Sequence, residues 1–269
     1  MQCGNGKKSK NKINRERDIS LSLKFLSMKY IKLFENIDLF QNWKDSEEYV
    51  TPEVSFIEET GTVFYVPKEE LYEWVDLGLP SGILWADRNV GASKPEEYGL
   101  YFAWGETQGY EGITDEKQFS WADYKLCGGS SSTLAKYNTD SSRGIVDNLT
   151  ELELSDDAAY TSDNTCRMPT SVELEELINN TTSTWETLNG VNGRRFTSTN
   201  GNSIFVPAAG FCVDGSFSNV GSFSGLWSNS LTNSGSRYVR SLFSNSYGVL
   251  MSDYIRSSGY TVRAVKSNN

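Results

Sequence analysis

The side chains whose types and spacing could do chemistry are few, and the densest are two carboxylate groups, Asp156-Asp157 and Glu173-Glu175-Glu176. Carboxylates this close could ligate calcium or act as a general acid and base. Both groups also fall where a helix would begin, and negative charge there complements the helix dipole, so a structural role accounts for them without a ligand. Other arrangements fail on spacing. Gly6-Lys7-Lys8-Ser9 lacks the Gly-Lys-Ser/Thr register of a phosphate loop, and Gly221-Ser222-Phe223-Ser224-Gly225 places its serines wrongly for a nucleophile elbow. The chain has no histidine, which removes Ser-His-Asp and Cys-His catalysis, imidazole metal sites and the histidine pH switch. Cys3, Cys127, Cys166 and Cys212 contain no CxxC pair, and three of them, an odd number, lie in the main body. Buried free thiols are expected rather than a disulfide framework. Asn148-Leu-Thr150 and Asn180-Thr-Thr182 match the glycosylation acceptor pattern, which matters only in a eukaryotic secretory route. The expectation is a chain with no catalytic residue, no metal and no cofactor.

Charge narrows the partners. Lys and Arg number 25 against 35 Asp and Glu, a net of −10, which argues against a protein that neutralises nucleic-acid phosphates. Residues 1–27 run the other way, with seven basic residues (Lys7, Lys8, Lys10, Lys12, Arg15, Arg17, Lys24) against Glu16 and Asp18, a net of +5 that leaves −15 on the remainder. The segment from Met28 reads like a natural beginning, so 1–27 is either a mis-assigned upstream extension or a solvated basic tail. No stretch approaches the 18 or more consecutive apolar residues of a membrane helix, so no membrane insertion is expected. Cys3 suggests a lipoprotein anchor, but the hydrophobic run that a lipobox needs is missing before it.

The elements that must position any site follow from periodicity. Val54-Phe56-Ile57 and Val63-Phe64-Tyr65-Val66, around Glu59-Thr60-Gly61, read as a hairpin in a small unit over 28–67. Forty residues bury too little alone, so this unit is expected to dock on something else. A polar linker follows at 68–73, and 74–269 form the main domain. There, Thr170-Ser171-Val172-Glu173 is a capping box, and Leu174, Leu177 and Ile178 recur at helical spacing, which predicts a short amphipathic helix on a sheet. Pro95 with Glu96-Glu97 opens a second, weaker helical pattern running to Trp104. Asn189-Gly190, Asn192-Gly193 and Asn200-Gly201 punctuate strand-like runs at Arg195–Thr197 and Ser203–Val206. Further strands are expected at Leu226–Ser230, Tyr238–Phe243, Val249–Tyr254 and Tyr260–Lys266. With 38% apolar and 13% aromatic residues, the composition suits an aromatic-cored α+β domain rich in loops.

Between Trp227 and Gly259 the sequence is packed with polar residues, among them Ser228, Asn229, Ser230, Asn233, Ser236, Arg237, Tyr238, Arg240, Ser244, Asn245, Ser246, Tyr247, Ser252, Asp253 and Tyr254. Paratopes favour this palette, in which Tyr and Arg give contact area and polar handles while Ser and Asn adapt. A solvated sheet face would have a similar composition. A ligand-binding face made of these fifteen residues is the expectation.

Five strings make the chain specific: WVDLGLPSGILWADRNVGASKPEEYGLYFAWGE (74–106), CRMPTSVELEEL (166–177), NGVNGRRFTSTNGNSIFVPAAG (189–210), GLWSNS (225–230) and GYTVRAV (259–265). In this order they resemble the Fibrobacter succinogenes major paralogous domain, a bacterial family similar to the C-type lectin fold and abundant in gut Bacteroidales and their phages. Cys166 stands where that family often has Trp, and Ala264 where Pro is usual. The resemblance implies that Trp74–Leu79 pairs with Tyr260–Lys266 to close the domain, that a helix pair flanks the sheet, and that long loops hang from it. Trp85, Trp104, Trp121, Trp185 and Trp227 would then be mostly core. Calcium-dependent sugar binding in that superfamily uses Glu-Pro-Asn or Gln-Pro-Asp and a later Trp-Asn-Asp; none of the six prolines lies in such a triplet, and Trp227-Ser228-Asn229-Ser230 lacks the acid. The formylglycine-generating enzymes share the broad fold but need a close cysteine pair, which this chain lacks.

The ending W-S-x-S followed by V-R-x-V is similar to the variable proteins of diversity-generating retroelements, whose C-terminal codons are rewritten at template adenines. That similarity implies a fixed scaffold of Trp227, Leu242, Val262 and Val265 with a mutable polar face between. MKYIKLFENIDLF followed by PEVSFIEETGTVFYVP looks like the leader of virion proteins of Bacteroidales phages and prophages. Residues 28–67 would then attach to virion components, and 74–269 would recognise a host cell-surface protein or glycan from the virion surface, with homo-oligomerisation adding avidity. The alternative is a bacterial cell-surface lipoprotein, secreted adhesin or structural domain with no variable ligand.

Overall fold

The computed structural model describes residues 71–268, together with the backbone of two short strands, Lys32–Phe34 (β1) and Val63–Tyr65 (β2). The chain divides into two units, Met1–Glu70 and Leu71–Asn269. In the first, β1 and β2 pair antiparallel, with Leu33 opposite Phe64. The strand expected at 63–66 therefore forms with Lys32–Phe34 as its described partner, and Val54–Ile57 lies outside the described residues.

The second unit is mixed α+β, mostly sheet. Its strands are Trp74–Asp76 (β3), Ile83–Asn89 (β4) and Tyr101–Phe102 (β5), followed by two helices, Ala158–Ser162 (α1) and Ser171–Asn180 (α2). Then come Thr181–Leu188 (β6), Val191–Ser198 (β7), Ser203–Pro207 (β8), Phe211–Val213 (β9), Ser216–Ser218 (β10), Phe223–Leu231 (β11), Tyr238–Asn245 (β12), Gly248–Ile255 (β13), Tyr260–Thr261 (β14) and Arg263–Ser267 (β15). A five-stranded sheet runs β13-β12-β11-β14-β5, and two three-stranded sheets run β15-β4-β3 and β6-β7-β8. β9 and β10 pair with each other.

The capping box forms as its spacing requires. Thr170 Oγ1 accepts from the Glu173 amide, and the Glu173 carboxylate accepts from the Thr170 amide at 2.7 Å. Leu174 and Leu177 then bury against Phe196, Ile204, Leu226, Leu242 and Val265, with Ile178 packed beside them. Thr181 ends the helix by donating its hydroxyl to the Leu177 carbonyl, and the chain enters β6 at once. Asn189 and Gly190 both take positive φ, 48° and 87°, in the two-residue turn between Leu188 and Val191. That is the type I′ geometry for which Asn-Gly is suited.

Four expectations change. Pro95–Trp104 is not a helix: Gly99 sits at φ 75°, and Tyr101–Phe102 is drawn into the sheet beside Tyr260–Thr261. A two-strand pairing to the core outweighs one turn of favourable helix residues. Asn192-Gly193 is not a turn but the interior of β7, where Gly193 leaves room for the Phe205 ring; a Cβ there would lie 2.4 Å from it. Trp74–Asp76 does not pair directly with the last strand. β4 intervenes, so that Trp85 lies opposite both Val75 and Val265; the tight turn at Pro80–Gly82 sets β4 beside β3 and leaves only the far edge of β4 for the last strand. Finally, Trp85, Trp104 and Trp227 are fully buried, whereas Trp121 and Trp185 are half-buried.

Residues 103–170 hold little regular structure and are fastened by polar side chains. Arg256, wholly buried, donates to the Tyr124 hydroxyl and to the carbonyls of Lys136, Tyr137 and Ser236, with its guanidinium over the rings of Trp104, Tyr124 and Tyr137. Lys117 is buried against Glu106 at 2.8 Å and Asp123 at 3.3 Å. Asp147 accepts from the amides of Tyr137, Asn138 and Leu149. Arg263 does the same work for the sheets, reaching Asn89, the Ala86 carbonyl and the Phe205 carbonyl; burial pulls its guanidinium down to about 10.

Candidate functional site

The fifteen polar residues of the C-terminal stretch fall on β11, β12, β13 and the connections between them. Register decides their neighbours. In the β12–β13 hairpin Val239 lies opposite Tyr254, Arg240 opposite Asp253, Ser241 opposite Ser252, Leu242 opposite Met251 and Phe243 opposite Leu250. Because side chains alternate across a strand, Val239, Ser241, Phe243, Leu250, Ser252 and Tyr254 share one face, and Tyr238, Arg240, Leu242, Ser244, Met251 and Asp253 share the other.

Five of the fifteen are buried and serve the fold. Ser228 donates to the Arg240 carbonyl, and Ser230 Oγ donates to the Asn229 side chain at 2.7 Å while accepting from the Ser171 amide at the start of α2. The Asn229 backbone joins Pro169 and Leu152. Ser236 Oγ accepts from the Thr139 amide at 2.9 Å. Ser244 is buried with its hydroxyl unpartnered. Ser228, Asn229, Ser230 and Ser236 tie this sheet to the loops and to the start of α2, and none of the five offers contact area to a ligand.

Arg240 and Asp253 face α2 rather than the outside. Arg240 pairs with Glu175 and Asp253, both at 3.3 Å, and Asp253 also accepts from Thr232 at 2.7 Å and Ser234 at 2.8 Å. Partial burial alone would raise the Asp253 carboxyl; these hydroxyls and the guanidinium outweigh it and hold it below its ordinary value. Asn245 spends its side-chain oxygen on the amides of Tyr247 and Gly248, closing the hairpin. Arg237 lies over the Tyr238 ring at 5.4 Å.

The outward remainder is a ridge. Phe243 and Tyr254 are half-buried, with rings parallel to within 9° and centroids 6.4 Å apart. Beneath them Phe223 meets Phe243 edge-on at 4.8 Å, and Tyr254 rests on Tyr260 at 4.9 Å. Leu250 is 52% exposed beside them, Ser252 is half-exposed, and Tyr247 at the hairpin tip is 97% exposed next to exposed Ser246. Asn233 is exposed on the β11–β12 connection. Phe243 and Leu250 are the members that reading polar residues misses. Their signal was parity with Tyr254, readable once the Ser246-Tyr247 turn fixes the register.

This arrangement can stack an apolar group or ring on fixed aromatics and offer hydroxyls to it. Burial raises the Tyr254 phenol, against a hydrogen bond with Ser252, so it stays a neutral donor. The carboxylates singled out earlier are all engaged elsewhere. Asp157 caps α1 through the amides of Ala159 and Tyr160, Asp156 takes Lys136 and the Tyr137 hydroxyl, Glu173 holds Arg167 at 2.6 Å, and Glu176 accepts from the Ser81 amide. Among the described residues no three His, Cys, Asp or Glu side chains are grouped to hold a metal, and no helix is long and apolar enough to cross a membrane. Cys127 and Cys212 are free thiols, Cys166 is buried with its Sγ 3.1 Å from the Asp163 carbonyl, and burial pushes Cys212 up to about 12. Trp227, Leu242, Val262 and Val265 are each fully buried.

No family model, no curated protein and no solved structure matches this chain.

Proposed function

We propose that the chain is a non-enzymatic ligand-binding protein of the receptor-binding or adhesin type, built on a C-type lectin-like fold. The observation that carries the reading is the ridge on β12 and β13: Phe243, Leu250 and Tyr254, part-exposed, flanked by Ser252 and Tyr247, and resting on the buried frame of Phe223, Trp227 and Tyr260. Aromatic anchors held rigid by packing lose little entropy on binding, and small polar neighbours adapt to the partner. The resemblance of 74–266 to the Fibrobacter succinogenes major paralogous domain, and of its ending to retroelement variable proteins, supports the wider picture. In that picture the protein sits on a phage or prophage virion surface, residues 28–67 attach it to virion components, and the β12–β13 side chains vary to meet a host cell-surface protein or glycan. Homo-oligomerisation would raise weak contacts to useful avidity. A near-copy of the segment encoding Leu226–Val265 beside the gene, with a reverse transcriptase, is what the retroelement part requires.

The test is binding of the labelled full-length chain to a panel of gut Bacteroidales cells. It runs beside Tyr247→Ser at the exposed hairpin tip and, separately, Ser252→Arg, which puts a long charged side chain on the ridge face. Tyr254 is left intact because it packs on Tyr260. Strain-selective binding that falls at least tenfold in both variants is expected. Equal binding by all three proteins, or none, would sink the ligand face and favour a structural or cell-surface role.

A further inference from the structure

At the opposite edge of the five-stranded sheet from β13, beside β5 and β10, lies an open cleft of about 440 Å³ lined by Tyr98, Gly99, Tyr101, Glu111, Phe217 and Val220. That volume falls within the range of small-ligand sites. Two walls are aromatic and fixed. Tyr101 is anchored by its hydroxyl, which donates to the Ala209 carbonyl at 2.6 Å, and the Phe217 ring stands at 77° to it with centroids 5.3 Å apart. Gly99 fixes the backbone of another side: its φ is 75°, and a Cβ there would lie 2.5 Å from the Val90 carbonyl, so this stretch packs directly against Val90.

Three features of the cleft face solvent. Phe217 is 45% exposed and Val220 46% exposed, both on or next to a hairpin whose strand contributes no other ring to the core. Glu111, exposed at the rim, forms no ion pair among the described residues and is the cleft's only charged group. The whole chain is acidic at −10, which favours the approach of a cation and disfavours an anion. Rings set at an angle, one unpaired carboxylate and an anionic surround match a cation that is itself greasy: aromatic quadrupoles attract an alkylammonium, and its methyl groups fill apolar space.

We infer that this cleft binds an alkylammonium group, with Tyr98, Tyr101 and Phe217 as the aromatic walls and Glu111 as the counter-charge. The site is distinct from the β12–β13 ridge, and neither reading depends on the other. A trimethylammonium headgroup and a methylated lysine side chain share this chemistry.

The experiment is calorimetric titration of the full-length chain with choline, against 3,3-dimethylbutan-1-ol, which has the same shape without the charge. Choline is expected to bind at least tenfold more tightly than the neutral alcohol. Glu111→Gln should weaken choline at least fivefold, and Phe217→Ala at least tenfold, while Tyr247→Ser changes nothing. Phosphocholine and trimethyllysine titrations then separate a lipid-type headgroup from a peptide source. Should Phe217→Ala unfold, as circular dichroism would show, Glu111→Gln at the exposed rim still decides the matter. Equal affinity for choline and the alcohol, binding of glucose, galactose or N-acetylglucosamine in place of choline, or no heat with any of them would each overturn the inference.

Discussion

The stretch from 103 to 170 and the hairpin β12–β13 are both accessible parts of one unit, yet they are held by opposite means. The first has few ladder hydrogen bonds and relies on buried side chains: Arg256 against four oxygens, Lys117 between two carboxylates, Asp147 on three amides. The hairpin is held by its backbone, eight residues opposite eight. At its outward positions a backbone ladder makes few demands on the side chains it carries, whereas a polar network needs each member, since an abandoned buried charge or donor keeps its full desolvation cost. The buried members of the loop networks are therefore intolerant of substitution, and the outward hairpin positions Tyr247 and Leu250 tolerant, while Val239 and Leu242 of the same hairpin belong to the core. That is the division of labour a changeable binding surface needs.

The largest break in this contrast should come from Lys117→Met. It leaves Glu106, whose side chain is 1% exposed, buried without its cation, and should cost about 3–5 kcal/mol in urea denaturation. Lys117→Met with Glu106→Leu should recover most of that; a double variant as unstable as the single would show that packing, not charge, holds this loop.

Acid should separate the two regions by a smaller amount. Burial alone would raise Asp147, but the amides of Asn138, Tyr137 and Leu149 outweigh it and hold its carboxyl below the ordinary 3.8. A depressed carboxyl stabilises the fold at pH above its unfolded value, and that contribution fades as pH falls through its folded value. Below about pH 3.8, hydrogen exchange at the Tyr137 and Asn138 amides should accelerate before exchange in β12. Simultaneous loss would mean that the loops and the hairpin open as one unit. The smallest effect belongs to Tyr247→Ser at the exposed tip, expected to leave stability within about 0.5 kcal/mol while weakening any ligand bound by the ridge.

What could be read from the chain beforehand was whatever is local. The capping box at Thr170, the Asn189-Gly190 turn and the later strands depend on neighbours within a few residues, and they form as their spacing requires. Non-local pairing was not legible. Tyr101–Phe102 became a strand because Tyr260–Thr261 lay beside it, and β6 escaped notice because Thr181–Leu188 is polar and follows a helix without a break. The candidate site was half legible for the same reason. Composition located the right stretch, but it could not tell Ser228 or Ser244, which are buried, from Ser252, which is not. Nor could it promote Phe243 and Leu250, which only register brings to the ridge. Arg256 and Lys117 gave no sequence signal, because a buried cation is defined by groups far along the chain.

The position of β4 between β3 and β15 has a practical corollary. The start and finish of the second unit lie one strand apart in the same small sheet, with Trp74 opposite Ala86 and Ser267 opposite Ile83. Because β3 and β15 both run antiparallel to β4, they run parallel to each other and the two leads leave this sheet at opposite ends, so a permutant cut open at Ser246-Tyr247 needs a linker long enough to run back along the sheet to rejoin the old ends. Such a permutant would place new termini at the hairpin tip. Grafting and library display could start from there.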